Sequence, residues 1–138
     1  MKNLYYVVVV TGVCFILLTA CSKPVFYSDQ YILIEKRVGE EEKYEEFKKV
    51  TAQRKVEKVR AIIQNARWEK AKVERERPPD YLFIFQFKDP DVEAKAMLYE
   101  LWVSPAGDQI ELVRNNEYAQ LDQGVSAEMM EILIDENK

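Results

Sequence analysis

The chain has no histidine. That removes the usual general base, the usual centre of a nucleophile–His–acid triad and the commonest metal ligand. Its four glycines stand at 12, 39, 107 and 124, a spacing that builds no phosphate-cradling loop. Both cysteines, Cys14 and Cys21, fall within the first 21 residues. The rest of the chain therefore holds no internal disulfide, no cysteine nucleophile and no zinc–cysteine site. There is also no excess of positive charge: 20 basic residues face 24 acidic ones, for a net charge of −4. That balance argues against nucleic acid as a partner and against general electrostatic attraction to anionic lipid.

Long apolar runs are equally scarce. There is one, Leu4–Ala20, with no charged residue in it. It falls short of the roughly 20 residues that a membrane-spanning helix needs. With Lys2 ahead of it and small residues at its end, it reads as a secretory signal segment. The run closes on Leu18-Thr19-Ala20-Cys21. These four residues resemble the lipobox of bacterial lipoproteins: an aliphatic residue, a small or hydroxyl residue, Gly, Ala or Ser, then Cys. The resemblance implies that Leu18, Thr19 and Ala20 are read by the lipoprotein signal peptidase. It further implies that the Cys21 thiol receives a diacylglyceryl group, and that cleavage leaves Cys21 as the first residue. Two acyl chains anchor stably where one binds only reversibly. The partner so implied is the lipid bilayer, through diacylglyceryl-Cys21. The alternative is an uncleaved signal anchor with Cys21 an ordinary cysteine.

Removing residues 1–20 takes away Lys2 and no acidic residue, which leaves a charge of −5. We expect residues 21–30 to be a short lipidated tether and residues 31–138 a single α+β domain, long enough to bury a core without cross-links. Tyr31-Ile32-Leu33-Ile34 begins a strand that ends in charge, with Gly39 as the turn signal behind it. Tyr44–Thr51 fits a strand or a helix, and we favour the strand. Val56, Val59, Ile62, Ile63 and Ala66 recur at the helical period, which predicts a helix over residues 52–67 with Thr51 as its N-cap. The basic residues Arg54, Lys55, Lys58 and Arg60 lie off that stripe; they could face an acidic partner or phospholipid headgroups, but we favour a solvated face that could pair with Glu40–Glu46. Trp68–Arg77 reads as a polar edge strand.

Tyr81, Phe83, Phe85 and Phe87 alternate with Leu82 and Ile84, so this strand belongs inside the sheet. Its four aromatics are expected to pack on the main helix. Ala96–Val103, with Trp102 half exposed, is the next strand, followed by Gln109–Arg114 and Glu117–Leu121 around an Asn115-Asn116 turn. Ser126 is expected to cap a last helix running to Ile134, with Glu128 in its first turn. Strands joined by tight turns predict an antiparallel sheet of four to six strands, with one main helix and a short C-terminal helix on one face.

Chemistry is harder to find. Asp80, Asp89, Asp91 and Glu93 are carboxylates near strand ends that could work in pairs as in glycoside hydrolysis. Asp89 and Asp91 around Pro90 could also hold a weakly bound Ca²⁺, although a polar turn accounts for them. We assign no catalytic residue, no metal ligand and no cofactor. The folded part resembles the YhfM-like lipoproteins of Gram-positive bacteria, through Pro78-Pro79-Asp80-Tyr81 followed by Tyr99-Glu100-Leu101-Trp102-Val103. That resemblance implies a lipoprotein domain at the outer face of the cell membrane, with a Gram-positive cell favoured. The first functional expectation is a non-catalytic module that binds another envelope protein. The second is a small-ligand or envelope-polymer binding module using Trp68, Tyr81 and Trp102. The third is a carboxylate-dependent hydrolase.

Overall fold

The computed structural model describes residues 29–70 and 74–136. Seven strands form one antiparallel sheet, and two helices lie on a single face of it. In chain order the elements are β1 (Gln30–Arg37), β2 (Tyr44–Val50), α1 (Gln53–Asn65), β3 (Glu69–Lys70), β4 (Tyr81–Phe87), β5 (Leu98–Val103), β6 (Ile110–Arg114), β7 (Glu117–Gln120) and α2 (Gln123–Leu133). The expected α+β class holds, with seven strands rather than four to six. The spatial order is β2-β1-β4-β5-β6-β7-β3. The hairpin β1–β2 forms one edge, and α1 carries the chain to the other edge, where β3 pairs with β7. The chain then returns to lay β4 against β1, and β4 to β7 run as a meander.

Alternation along the strands decides the faces. Ile32 and Ile34 oppose Phe85 and Phe83, Phe83 opposes Tyr99, and Leu101 opposes Leu112, so all of these point to the helices. The Phe83 and Tyr99 rings stack at 4.9 Å with only 10° between their planes. Against them α1 presents Val56, Val59, Ile62 and Ile63, the stripe read from the sequence. Met129, Ile132 and Leu133 of α2 complete the core. Tyr44–Val50 is a strand, as favoured, and it carries a bulge opposite Ile34/Glu35. The tight turns are where turn chemistry placed them: Asn115 and Asn116 have φ of 42° and 64°, and Gly39 and Gly107 lie at 72° and 75°. Positive φ costs glycine nothing and asparagine little.

Several local expectations are corrected. The N-cap of α1 is Ala52, not Thr51, and no side chain caps this helix. Ser126 does not cap α2. Asp122 does, its carboxylate accepting from the Val125 N–H at 2.9 Å. Ser126 is fully buried, and its hydroxyl oxygen accepts from the Ile110 N–H at 2.9 Å, which ties α2 to β6. Glu128 lies beyond the first turn of α2 and pairs with Lys58 of α1. The basic face of α1 is therefore not matched to Glu40–Glu46 as expected: Lys58 goes to Glu128, and Arg60 to Gln30. Of the edge strand expected over Trp68–Arg77, Glu69–Lys70 pairs with β7 and residues 74–77 form no strand. Instead Arg75 and Arg77 lie against the side of Trp102, which is buried rather than half exposed.

Candidate functional site

The lipobox, Leu18-Thr19-Ala20-Cys21, lies outside the described residues. Of the three aromatics expected to form a ligand platform, each has its own surroundings. Trp68 donates its indole N–H to the Ile63 carbonyl at 2.8 Å, lies 6.5 Å from Tyr99 and carries the Arg114 guanidinium at 3.9 Å. Tyr81 faces the helices beside Phe47, at 5.7 Å. Trp102 points to the opposite face, under Arg75 at 4.6 Å, with its N–H given to the Arg77 carbonyl at 3.1 Å. The sheet itself separates Trp102 from the other two.

The candidate carboxylates also have partners. One Asp80 oxygen takes both Arg37 and Arg77, and the other accepts from the Val103 N–H at 2.8 Å. Its own backbone N–H and C=O bond to Leu101 and Arg37. Asp80 is thus a knot joining β1, β4 and β5. Asp89 accepts from the Asp91 N–H at 2.9 Å, closing a polar turn. Among the described residues no cluster of three or more His, Cys, Asp or Glu forms a metal site. Nor is any helix among them long and apolar enough to cross a membrane.

Two surfaces remain with functional geometry. The first is the outer sheet face, which neither helix among the described residues covers. Leu33, Ile84 and Leu98 run straight across three strands, and Leu82 and Val113 lie in the next row. Leu98 is 48% exposed. Glu100 sits in this apolar field between Leu82 and Val113. Burial, with Glu42 nearby, pushes its carboxyl above the ordinary carboxylate value.

The second is a groove of about 280 Å³ on the helix side, at the end of the sheet where β1 begins and β4 ends. Phe85, Phe87 and Tyr99 form its floor, α1 one wall and residues 94–97 the other. Arg60, Lys95 and Arg114 line it, and no carboxylate does. Four other clefts each carry at least one carboxylate. Arg60 donates to the side-chain carbonyl of Gln30, which is only 6% exposed, and its guanidinium lies 5.4 Å from the Phe85 ring. Arg114 is held by Trp68 and by Glu117 at 3.1 Å. Sequence reasoning missed this group. Its signal was Gln30, a polar residue in phase with inward-facing Ile32 and Ile34. No protein-family model, no curated protein and no solved structure matches the chain.

Proposed function

We propose that the chain is a membrane-anchored extracytoplasmic lipoprotein whose α+β domain is a non-catalytic protein-interaction module. The observation that carries this reading is Leu18-Thr19-Ala20-Cys21 at the end of an uncharged run. In support, β1 begins at Gln30, so eight peptide bonds separate Cys21 from Asp29. Such a tether spans at most about 28 Å and holds the domain close to the bilayer. The interaction half of the reading is supported by the uncovered row Leu33–Ile84–Leu98, since soluble surfaces seldom leave contiguous apolar patches open. The occupant that fits is a second envelope protein with a complementary apolar surface.

Intact mass of the protein from host membranes tests the anchor. The expected chain starts at Cys21, carries a diacylglyceryl group and leaves the membrane fraction in a Cys21→Ser variant. A full-length, unmodified chain would sink the anchor. For the second half, a photo-crosslinking residue at position 98 should yield one discrete adduct with another envelope protein in native membranes. An adduct equally strong from exposed Gly107, on a turn, would count against the face.

A further inference from the structure

The apolar row Leu33–Ile84–Leu98 is bordered on the outer face by a row of a different kind. It reads Glu35, Leu82, Glu100, Val113, each residue opposite the next on the adjacent strand. Two carboxylates therefore flank Leu82 inside an apolar field. They stand two strand spacings apart, about 10 Å. Neither belongs to a group of three or more metal-ligating residues among the described residues. The cations of this face are already taken. Asp80 holds Arg37, Glu46 holds Lys49 at 3.2 Å, and Glu111 holds Arg75. Glu35 and Glu100 have no ion-pair partner among the described residues. Both are part-buried. At Glu100, burial and then Glu42 push the carboxyl above its ordinary value, and no cation opposes them.

We propose that the protein docking on this face presents an apolar segment with two Lys or Arg side chains, one for Glu35 and one for Glu100. Its apolar residues lie on Leu33, Ile84 and Leu98. The proposal rests on the reading of this face as an interaction surface and names the chemistry of what it takes. The physical reason is the cost of closing the face. A neutral apolar surface laid over it would bury two carboxylates with no partner, and burying an unpaired charge is expensive. A segment that brings its own cations removes that cost, and each pair it forms is a charge-assisted hydrogen bond in a partly dehydrated place. The apolar row thus supplies attraction, whereas the carboxylates choose among partners by penalising those that lack a cation. The same charges argue against the other occupants. A second copy of this chain would bring the same surplus of carboxylate to the contact. An anionic bilayer would be repelled, and a neutral one would leave both carboxylates unpaired.

The test uses the full chain in native host membranes, with the photo-crosslinking residue at position 98, beside Glu100 in β5. After irradiation, the segment joined to position 98 is sequenced by mass spectrometry. An apolar segment with at least two Lys or Arg is expected. Glu35→Gln and Glu100→Gln should each lower the yield of that adduct about tenfold, the loss of one charged hydrogen bond. Neither glutamate has an ion-pair partner to lose within the chain, so both variants keep the fold. Glu57→Gln, on the exposed side of α1, should leave the yield unchanged. A discrete adduct whose joined segment is acidic or uncharged would overturn the proposal and leave the face an interaction surface. Full yield from Glu35→Gln or from Glu100→Gln would do the same, because that carboxylate would then take no cation. An adduct with a second copy of the chain or with lipid would also overturn it. Absence of any discrete adduct would remove the interaction reading itself, and this proposal with it.

Discussion

Asp80 shows how one side chain can join three strands. It stands just ahead of β4, receives Arg37 from β1 and Arg77 from the preceding stretch, and accepts the Val103 N–H of β5. Removing an acceptor from a part-buried N–H costs the desolvation of that group, beyond the hydrogen bond itself. Asp80→Ala is therefore expected to cost about 2–3 kcal/mol, because it also leaves two guanidinium groups without their carboxylate. Asp80→Asn keeps an oxygen for Val103 and should cost about 1 kcal/mol. Urea unfolding of both variants checks the order, and equal losses would mean that the bond from the Val103 N–H contributes nothing. Glu100 tests the outer face. Its folded pKa is raised, by burial first and by Glu42 second. The folded state then holds this proton more tightly than the unfolded chain does. Above both pKa values the charged carboxylate costs stability, and below both that cost is gone. Glu100→Gln should thus stabilise the protein at pH 7 by up to about 0.5 kcal/mol, a figure reduced for solvent screening at a part-buried group. The gain should fade as the pH drops through the raised folded value toward the ordinary carboxylate value. A gain independent of pH would place its origin elsewhere.

At the scale of elements, the two helices end differently. The start of α2 is satisfied by Asp122, and its end by Lys48 of β2, whose ammonium donates to the Ile132 and Asp135 carbonyls at 3.0 and 2.7 Å. Lys48 is desolvated there, which lowers its pKa, as does Lys55, while Asp135 opposes the shift. The start of α1 has no such partner: Ala52 is its N-cap, exposed and extended, and the first turn holds no acidic residue. Its first-turn N–H groups meet Arg54 and Lys55, the wrong sign for the helix dipole. Ala52→Asp should add about 1 kcal/mol of stability, measured by urea unfolding, through an N-cap bond and a favourable charge. The helix itself was legible because Val56, Val59, Ile62 and Ile63 repeat with its period. Its cap was not, because Thr51 satisfies the cap rule one residue too early. Ser126 misled for a related reason: a serine ahead of an apolar run fits a cap, but this one is spent on Ile110 across the core. The segment after Trp68 read as a strand by alternation, yet Arg75 lies between the Trp102 and Tyr118 rings, a tertiary contact that local pattern does not encode. The aromatic candidates failed to converge because alternation along β4 and β5 fixes only which face each residue takes. Which faces are covered depends on strand order. The groove was hidden more deeply, since Gln30, Arg60, Lys95 and Arg114 come from four parts of the chain.

Across the whole molecule, two pairings in the sheet are non-local, β3 with β7 and β1 with β4, and the second joins its two halves. The hairpin β1–β2 and the meander β4–β7 are each built from local turns, and within the sheet they are joined by β1 against β4 alone. About 50 residues separate Ile34 from its partner Phe83. Such closure is slow in entropic terms, so the joint should form late and the sheet should fold more slowly than a bundle of the same size. At equilibrium the halves are coupled through a shared core, because Ile32, Ile34 and Val50 pack in the same cluster as Leu101, Leu112 and Met129. Truncating Ile34, fully buried at the joint, should cost about 2–5 kcal/mol. The informative measurement is whether the loss is seen alike by two probes. Trp68, just ahead of β3, and Trp102, in β5, both belong to the part of the sheet beyond the β1–β4 joint, whereas far-ultraviolet circular dichroism reports on all seven strands. Ile34→Ala should shift the two unfolding curves together, as for a single cooperative unit. If circular dichroism falls at lower urea than tryptophan fluorescence, the hairpin peels away alone. The β1–β4 joint would then be an opening at the mouth of the groove that Gln30 helps to build, and not a seam of the core.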